Sequence, residues 1–381
     1  MQHKIKIAGL LTALTIAIAG CASKGENVSE NKPNPLPKIN QTSGLNQIYA
    51  IDVSSSSAHD RVKLELEVLN DTVFVADPKG EIIAYRGKQR VWENKVSAAG
   101  ISAGVEAGNG VVVAGNRKGQ LFALDAANGQ KKWQAQLTGA ILAPSLILGD
   151  RVITVSNDGT VYAHDIASGQ QAWTYSLPNT QFSVRGNAAP VKADDRTVII
   201  GSSNAYVFAL DVLTGVPVMQ RRVAVSEGRS DLDRLNDIDG EPVVAGKYLV
   251  TTSYQGQVML TDLAEQRVIW FEKSSSVQRP EVTPSAIFVT ETDGTIKAFD
   301  FQTGQQVWQN KQLLNRGLTN PVMLGNELVV GDYEGVLHLI QPQTGKITGR
   351  AKTSGAIGTL RVVNGKLLVG TQKGKMSIWQ R

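Results

Sequence analysis

The sequence predicts an all-β protein, an eight-bladed β-propeller of four-stranded antiparallel blades, and three observations predict it. The chain repeats itself at blade length, turn signals divide each repeat into short apolar runs, and the last repeat ends one strand early while a spare strand precedes the first. The repeat is plainest at residues 119–133, Gly-Gln-Leu-Phe-Ala-Leu-Asp-Ala-Ala-Asn-Gly-Gln-Lys-Lys-Trp, which align without gaps on residues 159–173 and 294–308. Weaker copies begin at Gly80, Ala205, Gly256, Gly335 and Gly374, which makes eight units. Their starts lie 39, 40, 46, 51, 38, 41 and 39 residues apart, the period of a propeller blade. Helical solenoids share that period but not the strand pattern.

The chain opens on a targeting segment. Lys4 and Lys6 supply positive charge, and residues 7–18 form an apolar stretch too short to span a bilayer stably. Ile18-Ala19-Gly20-Cys21 is the small-residue pattern that precedes the acylated cysteine of bacterial lipoproteins, so residues 1–20 are read as a lipoprotein signal peptide and Cys21 as the lipidated mature N-terminus. Ala22, rather than Asp, is the residue type of the outer-membrane class. Cys21 is the only cysteine, so no disulfide within the chain is available and stability must come from the core.

Residues 21–44 are polar and proline-marked (Pro33, Pro35, Pro37), the composition of a lipidated flexible tether. Fully stretched, such a tether reaches at most about 70 Å. Loss of residues 1–20 removes two lysines and no acid, so 39 − 2 = 37 basic residues face 34 acidic ones and the formal charge falls from +5 to +3. No basic stripe with interleaved aromatics occurs, so nucleic acid is not an expected partner.

Residues 45–381 carry the propeller. In one unit, residues 141–148, 152–155, 161–165 and 172–177 run apolar or alternate over strand lengths, with turn signals at Gly149-Asp150, Asn157-Asp158-Gly159 and Ser168-Gly169 between them. The last unit holds three strands, residues 360–363, 366–370 and 375–379, and residues 47–53 are expected to pair there and close the ring, which removes exposed sheet edges. Within the repeat, the first glycine permits a tight hairpin turn, and Asp125, Asp165, Asp211, Asp262 and Asp300 are expected to hydrogen-bond the backbone just beyond them. Trp92, Trp133, Trp173, Trp270 and Trp308 occupy one place, four residues after the second turn, where each would wedge between blades.

Catalytic and metal signatures are thin. His59, His164 and His338 are scattered, and Asp237-Ile-Asp239-Gly240 resembles half a calcium loop without its closing glutamate. There is no Gly-x-Ser-x-Gly elbow, no phosphate-binding loop and no Cys-x-x-Cys-His haem site. The expectation is a non-enzyme with no cofactor and no metal.

The pattern Ala-x-Asp-x-x-Thr-Gly-x-x-x-Trp, complete at residues 298–308, resembles the tryptophan-docking repeat of pyrroloquinoline-quinone (PQQ) dehydrogenases. Those enzymes are longer and carry a Cys-Cys pair over the cofactor, which this chain lacks. With a lipobox, 381 residues and eight units, the whole chain resembles the BamB family, propeller lipoproteins of the outer-membrane β-barrel assembly machinery. The resemblance implies a scaffold lipid-anchored to the outer membrane, facing the periplasm and docked on the POTRA domains of BamA among the other Bam complex subunits. It also implies the docking residues: Phe182, Val184 and Arg185 in one stretch, Arg234, Asp237 and Asp239 in another, with Phe182 and Val184 standing where the family has leucines. Independently of the family, these stretches fall in the two longest repeat intervals, and insertions in repeat folds form loops that often bind. Unfolded outer-membrane proteins are a further expected partner, taken up at blade edges by β-augmentation. The competing readings are an envelope ligand-binding propeller, which needs a polar central pocket, and a PQQ-dependent dehydrogenase.

Overall fold

Each repeat spends its apolar residues on its two middle strands, and those strands fold with both faces covered. Thr72–Asp77 and Val111–Gly115 are buried along their whole length, whereas the outermost Lys131–Gln136 buries mainly Trp133 and exposes its charged residues. The computed structural model describes residues 32–53, 66–177, 188–202, 206–222, 238, 240–254 and 256–381. Among them are eight four-stranded antiparallel sheets and no helix, an eight-bladed β-propeller.

Blades 1 to 7 span residues 66–95, 105–136, 146–176, 191–222, 243–273, 281–310 and 322–352, each with its strands in chain order from the axis outward. Blade 8 takes three strands from residues 357–380, and Asn46–Asp52 supplies the fourth by pairing with Lys375–Gln380. The first and last segments of the chain thus close the ring together. In the third unit the strand predicted over residues 141–148 is shorter: only Leu146–Leu148 pairs regularly, with Ile141 making an isolated bridge to Ser156. Pro144 cannot donate to a ladder, and Ile141 instead packs where a side chain on Gly115 would stand.

Every described tryptophan of the repeat docks on the next blade. The indole N–H groups of Trp92, Trp133, Trp173, Trp270 and Trp308 donate to the carbonyls of Ala126, Ile166, Val212, Phe301 and Pro342 at 2.7–3.0 Å. Each ring lies on the turn glycine of that next blade. At Gly215, φ is +72° and a Cβ would stand 2.5 Å from the ring of Trp173, so the bare backbone is required twice over. The repeat aspartates form the same turns: Asp125, Asp165, Asp211, Asp262 and Asp300 accept the backbone N–H groups two and three residues on.

Three blades lack the tryptophan, blade 8 among them because its outer strand is Asn46–Asp52, and the departures in the other two have counterparts. Blade 4 carries Met219 in place of tryptophan, and blade 5 carries Gln266 at positive φ in place of the bed glycine. Blade 7 carries Gly349 at the tryptophan position, and a Cβ there would meet the carbonyl oxygen of Ser43 at 2.1 Å. The segment 33–45 fills that seam. Asn34 N–H donates to Leu314 O, Thr42 N–H to Thr348 O, and Arg350 to Pro37 O at 2.8 Å, while Leu36, Ile39 and Leu45 pack among the cores of blades 6 to 8. The flexible tether expected over 21–44 therefore gives way at Pro33 to a strap held on the body. The reason is that prolines placed the carbonyls, and three apolar residues the anchors, at spacings that composition alone reads as linker.

Candidate protein-docking face

Antiparallel blades send their connections to fixed faces. The links between blades and the turns joining second to third strands share one face; the Asp–Gly turns occupy the other. The longest link between consecutive full blades, residues 223–242, leaves Arg222 and returns at Val243; another long one, residues 177–190, leaves Ser176 and returns at Val191. Both open on the same face, on either side of blade 4.

The six docking residues expected from sequence, Phe182, Val184, Arg185, Arg234, Asp237 and Asp239, lie outside the described residues, as does Cys21. Their neighbours are described, and they meet. Ile238, between the two acids, is 1% exposed and packs with Ile199, Val207, Met219 and Leu249. Ala188, just after the first stretch, is also buried. Both lie against Gly201, where a Cβ would stand 2.9 Å from Ile238 Cγ2 and 3.5 Å from Ala188 Cβ. The first insertion and the second are thereby pinned at one point above the second strand of blade 4. Gly115 with Ile141 and Gly331 with Ile357 repeat this glycine–isoleucine contact in blades 2 and 7, so Ile238 is a structural anchor.

The axis of the ring holds a second feature that the sequence reading missed. A cavity of about 1010 Å³ is lined by the innermost strands, and its charged residues are Glu67, Glu106, Glu241, Glu281, Lys192, Arg279 and Arg361. Arg361 pairs with Glu67, Arg279 with Glu241 at 3.2 Å, and Lys192 with Asp195 at 2.6 Å. Glu106 is left with the backbone N–H of Ile147, and Glu281 with that of Met323. Burial, with Glu67 and then Glu241 adding repulsion, pushes the Glu106 carboxyl up to about 8. Burial also raises Glu281, opposed by Arg279. A legible signal existed in Leu66-Glu67-Val68 and Val105-Glu106-Ala107, single acids in apolar strands of adjacent blades; only ring closure shows that they face an axis.

Fold and face together define a class: tryptophan-docked propellers of the PQQ-like repeat type, with insertions grouped on one face. A family model described as "Outer membrane protein assembly factor BamB" matches residues 78–310 and 292–380. The chain belongs to the BamB family. It is 30% identical to the outer membrane protein assembly factor BamB of Burkholderia pseudomallei over 95% of this chain and 94% of that one, and 28% identical to that of Yersinia pestis over 100% and 99%. The crystal structure of BamB from Moraxella catarrhalis superposes with a TM-score of 0.83 at 37% identity, covering 89% of this chain and all of that one.

The quinohemoprotein alcohol dehydrogenase of Comamonas testosteroni shares the fold, with a TM-score of 0.69 at 13% identity. The axial lining does not fit the cofactor of PQQ enzymes. That quinone is a tricarboxylate, and here four carboxylates face three cations that are already engaged. Among the described residues no three His, Cys, Asp or Glu side chains are grouped to hold a metal ion.

Proposed function

We propose that this chain is a non-catalytic scaffold lipoprotein of the outer-membrane protein assembly complex. Acylated at Cys21, it is held to the periplasmic side of the outer membrane and docks on the POTRA domains of BamA to assist folding and insertion of β-barrel proteins. Membership of the BamB family supports the assembly role. The observation that supports a docking site near blade 4 is that Ala188 and Ile238, neighbours in sequence of the stretches bearing Arg185 and Asp237/Asp239, both pack on Gly201. An arginine next to apolar residues in sequence, as Arg185 is to Val184, has the composition of an interface anchor.

The test is binding of residues 22–381 to the periplasmic domains of BamA, with Arg185→Glu and Gly201→Val beside the parent chain. Charge reversal at a buried contact is expected to weaken binding by roughly 2–5 kcal/mol, about 30-fold or more. Gly201→Val forces Ile238 and Ala188 aside and should weaken binding while the Arg185 side chain is still present. Full affinity in both variants would move the interface off blade 4.

A further inference from the structure

We propose that the axial cavity is a binding site for a linear polyamine, its two terminal ammonium groups held by Glu106 on one wall and Glu281 on the opposite wall. The argument is one of placement. Glu106 lies in Val105–Gly108, the innermost strand of blade 2, and Glu281 in Glu281–Val282, the innermost strand of blade 6. In a ring of eight, blades 2 and 6 are diametrically opposed. Each acid takes one backbone N–H from the next blade, Ile147 in blade 3 and Met323 in blade 7, so the two are held in equivalent settings.

Among the described residues neither acid has a salt-bridge partner: Arg361, Arg279 and Lys192 are paired with Glu67, Glu241 and Asp195. Leu142, Pro144, Leu146, Val191, Met323 and Val362 add partly exposed apolar side chains to the lining. Two separated carboxylates with apolar side chains between them match two ammonium groups joined by methylenes. A metal ion does not match, since the donors stand on opposite walls and among the described residues none group in threes.

Protonation makes the idea measurable. With its carboxyl pushed up to about 8, Glu106 is mostly neutral at pH 7 in the free protein and must give up its proton to pair with an ammonium group. Binding therefore releases close to one proton at pH 7, and affinity rises as pH is raised from 6 toward 8.

The experiment is calorimetric titration of spermidine into the full chain in detergent, at pH 6, 7 and 8 and in two buffers of different ionisation enthalpy. The expected result is binding that tightens roughly tenfold from pH 6 to pH 7, with proton release. Glu106→Gln imitates the neutral acid and so preserves the fold; it should weaken binding at least tenfold and abolish the proton release. Glu281→Gln should weaken binding while the release persists. A series of α,ω-diamines should show an optimum length. No heat at millimolar spermidine, or binding that ignores both substitutions, would overturn the proposal.

Discussion

Asp332→Ala should lower the stability of the propeller by about 3–5 kcal/mol, the cost of leaving buried charge without its partner. Asp332 lies in a turn of blade 7 with its side chain fully buried, and its Oδ2 accepts from Arg316 Nε at 2.8 Å and from His338 Nε2 at 3.1 Å. Arg316 is 3% exposed and also binds Glu334 and, through Nη1, the carbonyl of Asn34 in the strap. Removal of one carboxylate therefore strips a buried guanidinium and a buried imidazole of their shared acceptor and loosens the strap. At roughly 2 °C per kcal/mol for a domain of this size, the thermal midpoint of residues 22–381 should fall by about 6–10 °C. The control is Asp71→Ala, whose partner Arg86 is 61% exposed and which is itself 67% exposed; a surface pair of this kind contributes under about 1 kcal/mol. Equal shifts in the two variants would remove the cluster's claim to special weight.

The same cluster sets the response to acid. Burial pushes Asp332 upward, but hydrogen bonds from His338, the Val336 N–H and Arg316 outweigh it and hold the carboxyl below the usual carboxylate range. Its contribution is present above the unfolded value, about 3.9, and is lost as pH falls through the folded one. Burial, opposed by Asp332, holds His338 below its ordinary value. A histidine kept neutral by the fold destabilises it once the unfolded chain can protonate, below about pH 6.5. Both effects have one sign but different windows: the thermal midpoint should decline below about pH 6.5 through His338 and fall further below about pH 3.9 through Asp332, and His338→Gln should remove the first decline.

Trp173→Ala should cost a comparable amount, about 3–5 kcal/mol. The indole is 9% exposed between blades 3 and 4, packed with Phe208, Leu210 and Val212 and lying on Gly215. Its N–H bonds Val212 O at 2.8 Å. Truncation opens the seam and leaves that buried carbonyl without its donor. Trp173→Phe keeps most of the ring and should lose less, with the missing hydrogen bond accounting for about 1 kcal/mol. Denaturant titration of the three proteins separates the terms, and a phenylalanine variant as damaged as the alanine variant would shift the weight from packing to the hydrogen bond. Ala188 and Ile238 also pack on blade 4, so Trp173→Ala should weaken the proposed BamA binding as well.

The sequence by itself determined the blade count, the four-strand unit and the closure of the ring. Those follow from local signals repeated eight times: glycine turns, apolar runs of strand length, an aspartate that binds its own backbone, and a tryptophan at constant offset. Residues 47–53 could be assigned to the last blade because a missing strand and a spare strand admit one solution. Tertiary structure alone decided what depends on contacts between distant residues. Residues 33–45 read as linker because polar and proline-rich composition carries no record of the Ser43 carbonyl that fills the place beside Gly349. Ile238 read as one residue inside a loop, and only its packing on Gly201 shows that two insertions share a stem. The four axial acids lie in four separate stretches of sequence, each reading as an ordinary charged residue. Glu106 and Glu281 are 175 positions apart (281 − 106), and closure of the ring is what sets them on opposite walls of one cavity, where burial raises both carboxyls.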